Sequence, residues 1–251
     1  MKPIALITGA TSGIGLATAK KLADDFSLII CGRRKKELSE LADIVRKKTS
    51  VHTLVFDVRD RLSILSYIEK LPEDFQNISL LINNAGNAHG LDTIDQVKIL
   101  DLEMMIDANV KGLLYVSEAV IPLMMKQKKG HIINISSIAG KETYSKGTIY
   151  CASKAAVESI SKGMRLDLLP HGIKVTNIAP GAVDTNFSKV RFKGDQIKAH
   201  QVYEGYEPLK AEDIANSIHF VATQPDHVQI ADMTIFPKAQ ANATTFLKDF
   251  S

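Results

Sequence analysis

The sequence predicts one α/β domain: a doubly wound, mostly parallel, seven-stranded sheet with helices on both faces. Two observations carry this. Short runs rich in Ile, Leu and Val alternate with longer amphipathic segments along all 251 residues. The runs are continuously apolar, as strands buried on both faces must be. Strict β–α alternation of such strands gives an open parallel sheet. No linker, repeat or low-complexity segment interrupts the pattern, so 1–251 reads as a single domain.

In chain order, the apolar run 4–7 is the first strand, and the glycine turn after it opens a helix over 13–24. Strand 27–31 and the amphipathic segment 36–47 repeat the unit, as do strand 51–56 and helix 61–70. Strand 80–82 leads to two helices, 102–110 and 112–127, and strand 131–135 leads to the long helix 148–168. Strand 174–178, helix 211–222 and strand 233–236 complete the series. The stretch 180–209 is too long for a plain connection. Carrying Phe187, Phe192, Tyr203 and Tyr206, it reads as an irregular lid over a ligand, spanning about 180–210.

Composition excludes several classes. Hydrophobic residues make up 45% and charged residues 24%, ordinary values for a soluble globular protein. A net charge of +3 is too small to argue for nucleic acid or a membrane surface. Cys31 and Cys151 are the two cysteines and suggest no disulfide framework, which suits a reducing cytoplasm. No apolar run approaches the ~18 residues of a membrane span, and the N-terminal run is too short for a signal peptide. His52, His131, His171, His219 and His227 show no metal-ligand pattern.

Thr8-Gly9-Ala10-Thr11-Ser12-Gly13-Ile14-Gly15 follows the first strand and opens the first helix. Glycines there allow a tight turn and close approach of a pyrophosphate, and the helix start offers free amides. At the end of the second strand stand Gly32-Arg33-Arg34, with no acid to bind a ribose 2′-hydroxyl. Guanidinium groups there suit a 2′-phosphate, which favours NADP over NAD. Asp57, after the third strand, is either an acceptor for adenine or a helix N-cap. In Tyr150-Cys151-Ala152-Ser153-Lys154 the spacing of four stacks Tyr150 and Lys154 on one helical face. An ammonium beside a phenol lowers its pKa from roughly 10 and makes a proton-transfer group.

With Asn83-Asn84-Ala85-Gly86, Asn109, Ser137-Ile138-Ala139-Gly140 and Pro180-Gly181-Ala182-Val183-Asp184-Thr185, these motifs resemble the short-chain dehydrogenase/reductase family over nearly the whole chain. Tyr150 lies thirteen residues after Ser137, at the family spacing. The resemblance implies a Rossmann domain. Tyr150 would exchange the substrate proton and Ser137 would orient the substrate oxygen. Lys154 would tune the phenol and hold the nicotinamide ribose. Asn109 would support a water in the proton path. Gly9, Thr11, Ser12, Gly13, Ile14, Gly15, Asp57, Val58, Asn83, Ala85, Gly86, Pro180, Gly181, Val183 and Thr185 would contact the cofactor.

Val190-Arg191-Phe192-Lys193-Gly194-Asp195 and Gly32-Arg33-Arg34 look like the NADP-dependent 3-hydroxy acid (serine or L-allo-threonine) dehydrogenases, which are homotetramers. A small acid needs a cation in its pocket. Arg191 is the first candidate and Lys193 the second, and Tyr144 would line the same pocket. The competing readings are a reductase of diketones, 3-oxoacyl thioesters or steroids, and a non-catalytic NADP sensor. Sensors of this kind lose the Tyr or the Lys, and both are present here.

Overall fold

In the computed structural model, which describes residues 2–249, the apolar runs form the strands expected of them. These are β1 (Ile4–Ile7), β2 (Ser27–Gly32), β3 (Val51–Val55), β4 (Ile78–Asn83), β5 (Gly130–Ile135), β6 (Ile173–Pro180), β7 (Val183–Asp184), β8 (Leu209–Lys210) and β9 (Asp232–Ile235). The main sheet has seven strands in the order β3-β2-β1-β4-β5-β6-β9. Every pairing in it is parallel.

Alternation along the strands assigns each side chain to a face. Ala5, Ile7, Leu28 and Ile30 pack on one side, against Ala19 and Leu22 of α1 (Gly13–Leu22), Leu38 and Leu41 of α2 (Lys35–Val45), and Ile214 and Ile218 of α9 (Ala211–Ala222). Ile4, Leu6, Ile29 and Cys31 pack on the other, against Ile64 and Ile68 of α3 (Arg61–Glu69) and Val116, Val120 and Met124 of α5 (Gly112–Gln127). Burying one Leu or Ile contributes roughly 1.5–3 kcal/mol. With both faces covered, the sheet is a rigid platform, and the loops at its carboxyl edge are left to carry chemistry.

Two segments differ from expectation. The helices expected at 102–110 and 112–127 run on without a break. α4 (Ile99–Ile106) passes through a π turn, Asp107–Lys111, into α5. The inserted π turn rotates the side chains after it, and such turns often mark functional positions. Asn109 sits inside this one. The stretch 180–209 is also more ordered than an irregular lid. It carries α7 (Asn186–Arg191) and α8 (Gln196–Gln201), and β7 and β8 pair at its base. Both helices have six residues, below the length at which periodicity is legible. Their N-caps were nonetheless present in the sequence: Thr185 accepts from Phe187 N–H, and Asp195 from Lys198 N–H.

Candidate active site

β1 lies mid-sheet between β2 and β4, where the strand order reverses. A crevice opens there beyond the carboxyl ends, as open α/β sheets require. The cleft has a volume of about 670 Å³. Gly9 (φ 66°) and Gly13 (φ 51°) take left-handed backbone that glycine adopts without strain. A Cβ on Gly9 would press on Ala85 Cα at 3.0 Å. Thr8 stitches this turn to the loop after β4, its Oγ1 accepting from the N–H groups of Asn84 and Ala85, both at 3.0 Å. Ser12 is the α1 N-cap but makes no side-chain cap, so the first-turn amides are not capped by it.

At one end of the cleft stand three arginines and one acid. Arg34 donates to Thr11 Oγ1 (2.8 Å) and Ser12 Oγ (2.9 Å), which holds its guanidinium beside the glycine turn. Arg33 reaches Asp57 at 3.3 Å. Arg59 grips the same carboxylate with Nε and Nη2, the latter at 2.7 Å. Burial opposes ionisation of Asp57, but the bonds from Arg59 and the charge of Arg33 outweigh it and hold the carboxyl at about 2. The N-cap role left open for Asp57 belongs to Asp60, which accepts from Ser63 N–H. Arg59 also lines the cleft. It went unnoticed as a site residue in the sequence, although its place two residues after Asp57 was visible.

At the other end, α6 (Thr148–Leu168) carries Tyr150 and Lys154, both buried. Ser137 caps a 3₁₀ turn, Ile138–Gly140, by accepting from Ala139 N–H (3.1 Å), and it donates to the Pro180 carbonyl (3.4 Å). Burial pushes the Tyr150 phenol up and the nearby Tyr144 adds to this, while Arg191 and a hydrogen bond with Ser137 oppose them. Lys154 donates to the Ile135 carbonyl at 2.9 Å. Burial lowers its ammonium to about 8, and Glu158 works in the other direction. A second cation also acts on the phenol. It is Arg191, which lowers the Tyr150 phenol and whose guanidinium carbon lies 5.0 Å from the ring centre.

Two expected residues act from behind the cleft. Both amide hydrogens of Asn109 are taken, by the Asn87 carbonyl (2.9 Å) and Ser153 Oγ (3.0 Å), while its Oδ1 accepts from Asn87 N–H (2.8 Å). Its side chain thus fixes the loop after β4 to α6. Asn83 does not reach the cofactor cleft, contrary to expectation. It is the last residue of β4 and points into the protein, donating to Ser117 Oγ (3.0 Å) and Asn134 Oδ1 (2.9 Å). Strand alternation sends Asn83 inward and brings Asn84 to the Gly9 turn. Thr11, Ile14, Val58, Ala85, Gly86, Gly181, Val183 and Thr185, all expected at the cofactor, line the cleft, whereas Gly15 lies behind it.

From α7, Arg191 reaches over the Tyr150 end of the cleft. Its Nη2 donates to Tyr144 Oη at 2.6 Å, and its Nε is buried with no partner. Phe187 packs on Tyr150 at 5.5 Å between ring centres. Lys193, the second cation candidate, is committed elsewhere. It pairs with the buried Asp101 of α4 at 2.7 Å and ties the lid down, next to the bond from Gly90 N–H to the Arg191 carbonyl (2.9 Å).

The short chain dehydrogenase family pattern matches residues 3–196. The chain belongs to that family. Among its relatives, sulfoacetaldehyde reductase 2 of Chromohalobacter salexigens is 42% identical over 243 residues, covering 96% of each chain. The NADP-dependent 3-hydroxy acid dehydrogenase of Schizosaccharomyces pombe is also 42% identical, covering 95% of this chain and 93% of the relative. A solved structure, the closed form of a serine dehydrogenase complexed with NADP+, superposes with a TM-score of 0.92 at 39% identity, covering 97% of this chain and 98% of that one. The expected class, a short-chain oxidoreductase, stands on these likenesses.

In this family member the last residues also reach the site, which the sequence did not signal. Gln240 is buried, and its Oε1 accepts from Ala182 N–H at 2.8 Å. Phe246 lines the cleft and packs on Tyr206 of the lid, 4.9 Å between ring centres. No helix among the described residues is long and apolar enough to cross a membrane.

Proposed function

We propose that this dehydrogenase uses NADP to interconvert the 3-hydroxyl of a small 3-hydroxy acid or amino acid with the matching semialdehyde. One observation carries the substrate class: the buried, unpartnered Arg191 Nε beside the Tyr150 ring. A buried guanidinium donor without a partner is costly. A compact anion satisfies it and can present an adjacent hydroxyl or carbonyl to Tyr150. The names of the two relatives support the reading, since a 3-hydroxy acid and sulfoacetaldehyde are both small anions carrying such a group.

The cleft suits NADP. Gly9 and Gly13 leave room where a Cβ would intrude, and Arg33, Arg34 and Arg59 outnumber Asp57 at the adenosine end. Arg33 and Arg34 would take the 2′-phosphate, Asp57 and Val58 the adenine, and Lys154 the nicotinamide ribose. Val183 and Thr185 would meet the carboxamide. When bound, NADP supplies the hydride-carrying nicotinamide. The protein does the rest. Ser137 exchanges its long bond to Pro180 for one to the substrate oxygen and orients it. Tyr150 holds the transferable proton. Because burial keeps the phenol protonated at neutral pH, it is ready to donate in the reducing direction. Arg191 holds the anion, and Phe187 helps shield the site from water. We further propose a cytoplasmic homotetramer, as the sequence resemblance implies; light scattering would check the tetramer.

Initial rates at 340 nm with NADP and NAD, against L-serine, 3-hydroxypropanoate and a diketone, test this reading. Turnover of a 3-hydroxy acid with NADP is expected. A faster diketone reaction would favour the broader carbonyl reductase, and tight NADP binding with no turnover would favour a sensor. Replacing Arg33 and Arg34 together by Ala should raise KM for NADP roughly 100-fold and leave that for NAD within a few-fold, as charged hydrogen bonds contribute about 1.5–3 kcal/mol each. Equal effects on both cofactors would remove the arginines from 2′-phosphate recognition.

A further inference from the structure

Glu158 stands one helical turn beyond Lys154 on α6, and its side chain is 7% exposed. A buried acid is costly unless its oxygens are paired. Here Oε1 accepts from Asn177 Nδ2 at 2.8 Å and Oε2 from Lys141 Nζ at 3.2 Å. Lys141 also pairs with Asp232 at 2.7 Å, and Asp232 Oδ2 accepts from Asn177 Nδ2 at 2.8 Å. Four side chains from α6, β6, β9 and the end of the 3₁₀ turn thus close a ring.

Lys141 and Asn177 tie the ring to the framework around Ser137. Lys141 ends the turn that begins at Ser137, its N–H bonded to the Ile138 carbonyl. Within the turn, a Cβ on Gly140 would sit 2.7 Å from the Lys154 carbonyl, which also accepts from Ser136 Oγ at 3.2 Å. Asn177 lies on β6, the strand that ends at Pro180, the residue whose carbonyl holds Ser137 Oγ. The ring is a second clasp between the serine turn and the helix that carries Tyr150 and Lys154.

We propose that Glu158 is a positioning residue for the reaction: through Lys141 and Asn177 it locks the Ser137 turn against α6 and places a carboxylate one helical turn from Lys154. This goes beyond the substrate reading but rests on the Tyr150/Lys154 proton-transfer site. Facing Lys154 are Tyr150 and Glu158 on its own helix, neutral Asn109 and Gly86, and the Ile135 carbonyl. Arg191 reaches Tyr150 from α7, and Lys141 and Asp232 meet Glu158 from the turn and β9. Burial pulls Lys154 down to about 8, and Glu158 is the group that counters it. Loss of that charge lowers the Lys154 titration further, so the ammonium disappears at lower pH.

The test is Glu158→Gln, which removes the charge and keeps the shape. Two readouts are taken: Lys154 titration in the ligand-free protein by NMR of ¹³Cε-labelled lysine, assigned with Lys154→Met, and the pH profile of kcat in the NADP-loaded enzyme. The expected result is a Lys154 midpoint about one pH unit lower, the size of a nearby buried charge. The alkaline limb of kcat should move with it, and kcat at pH 8 should fall roughly fivefold, with KM for substrate within twofold. Glu158→Asp should restore most of the midpoint. Lys141→Met, at a partly exposed site, removes the counter-charge and should move the midpoint upward. It decides the matter if Glu158→Gln does not fold. A midpoint unmoved in Glu158→Gln, or unmoved or lowered in Lys141→Met, overturns the proposal. Because the NMR midpoint needs no turnover, a wrong substrate or cofactor would silence the kinetics and leave this result readable.

Discussion

Tyr150→Phe is expected to abolish turnover, lowering kcat by at least the roughly 10²–10⁴-fold that a positioned general acid contributes, while NADP affinity stays within about twofold. The change removes only Oη. The ring keeps its packing against Phe187 and its place under the Arg191 guanidinium. Lys154 still donates to the Ile135 carbonyl, and Ser137 still caps its turn. A loss confined to kcat therefore isolates the proton. Steady-state rates at 340 nm, paired with a fluorescence titration of NADPH, separate the two quantities. Surviving turnover would take Tyr150 out of the proton path. A parallel loss of cofactor binding would show that the phenol matters for the cleft rather than the chemistry.

Arg191→Met should raise KM for a 3-hydroxy acid roughly 30- to 1,000-fold, since truncating one partner of a buried charged pair costs about 2–4 kcal/mol, and should spare an uncharged alcohol. The sign of its second effect follows from the phenol. Arg191 lowers Tyr150, so removing it raises the phenol further, above a value that burial has already pushed up. The phenol thus stays protonated through the neutral range, and kcat for reduction changes little below pH 8. In the oxidising direction the phenolate is harder to reach, so that rate should fall further. If KM rises equally for charged and neutral substrates, Arg191 shapes the pocket without holding an anion. Met fills similar space, so a collapse of the lid is a poor explanation for a charge-selective loss. Lys193 offers the control: its bond to Asp101 places it in the lid anchor.

Several features were legible in the chain because they follow from local chemistry. Continuous apolar runs can be stable only between two helical layers, so Leu28 to Cys31 announced a buried strand. Positive φ at Gly9 and Gly13 explains why glycines recur in the first turn. The spacing of Tyr150 and Lys154 placed them on one face of a helix that does form over Thr148–Leu168. Other features depend on how distant segments meet. Asn83 and Asn84 are neighbours with the same side chain, yet strand alternation sends one into the protein and the other to the Gly9 turn. Asn109 looked like a residue of an ordinary helix, and the π turn that reorients it has no sequence marker.

The sequence by itself determined the layered sheet, the glycine turn, the paired Tyr150 and Lys154 and the arginines after β2, because each depends on periodicity, backbone freedom or spacing within a few residues. Only the tertiary structure decided that a second cation, Arg191, acts on the phenol. Sequence placed Lys154 one turn from Tyr150, whereas Arg191 arrives from a helix 41 residues away along the chain (191 − 150 = 41). It also decided that Gln240 and Phe246 close the cleft and that Glu158 joins the Ser137 turn to α6. Electrostatic influence falls with distance in space and rises with burial, and neither can be read from positions along a chain.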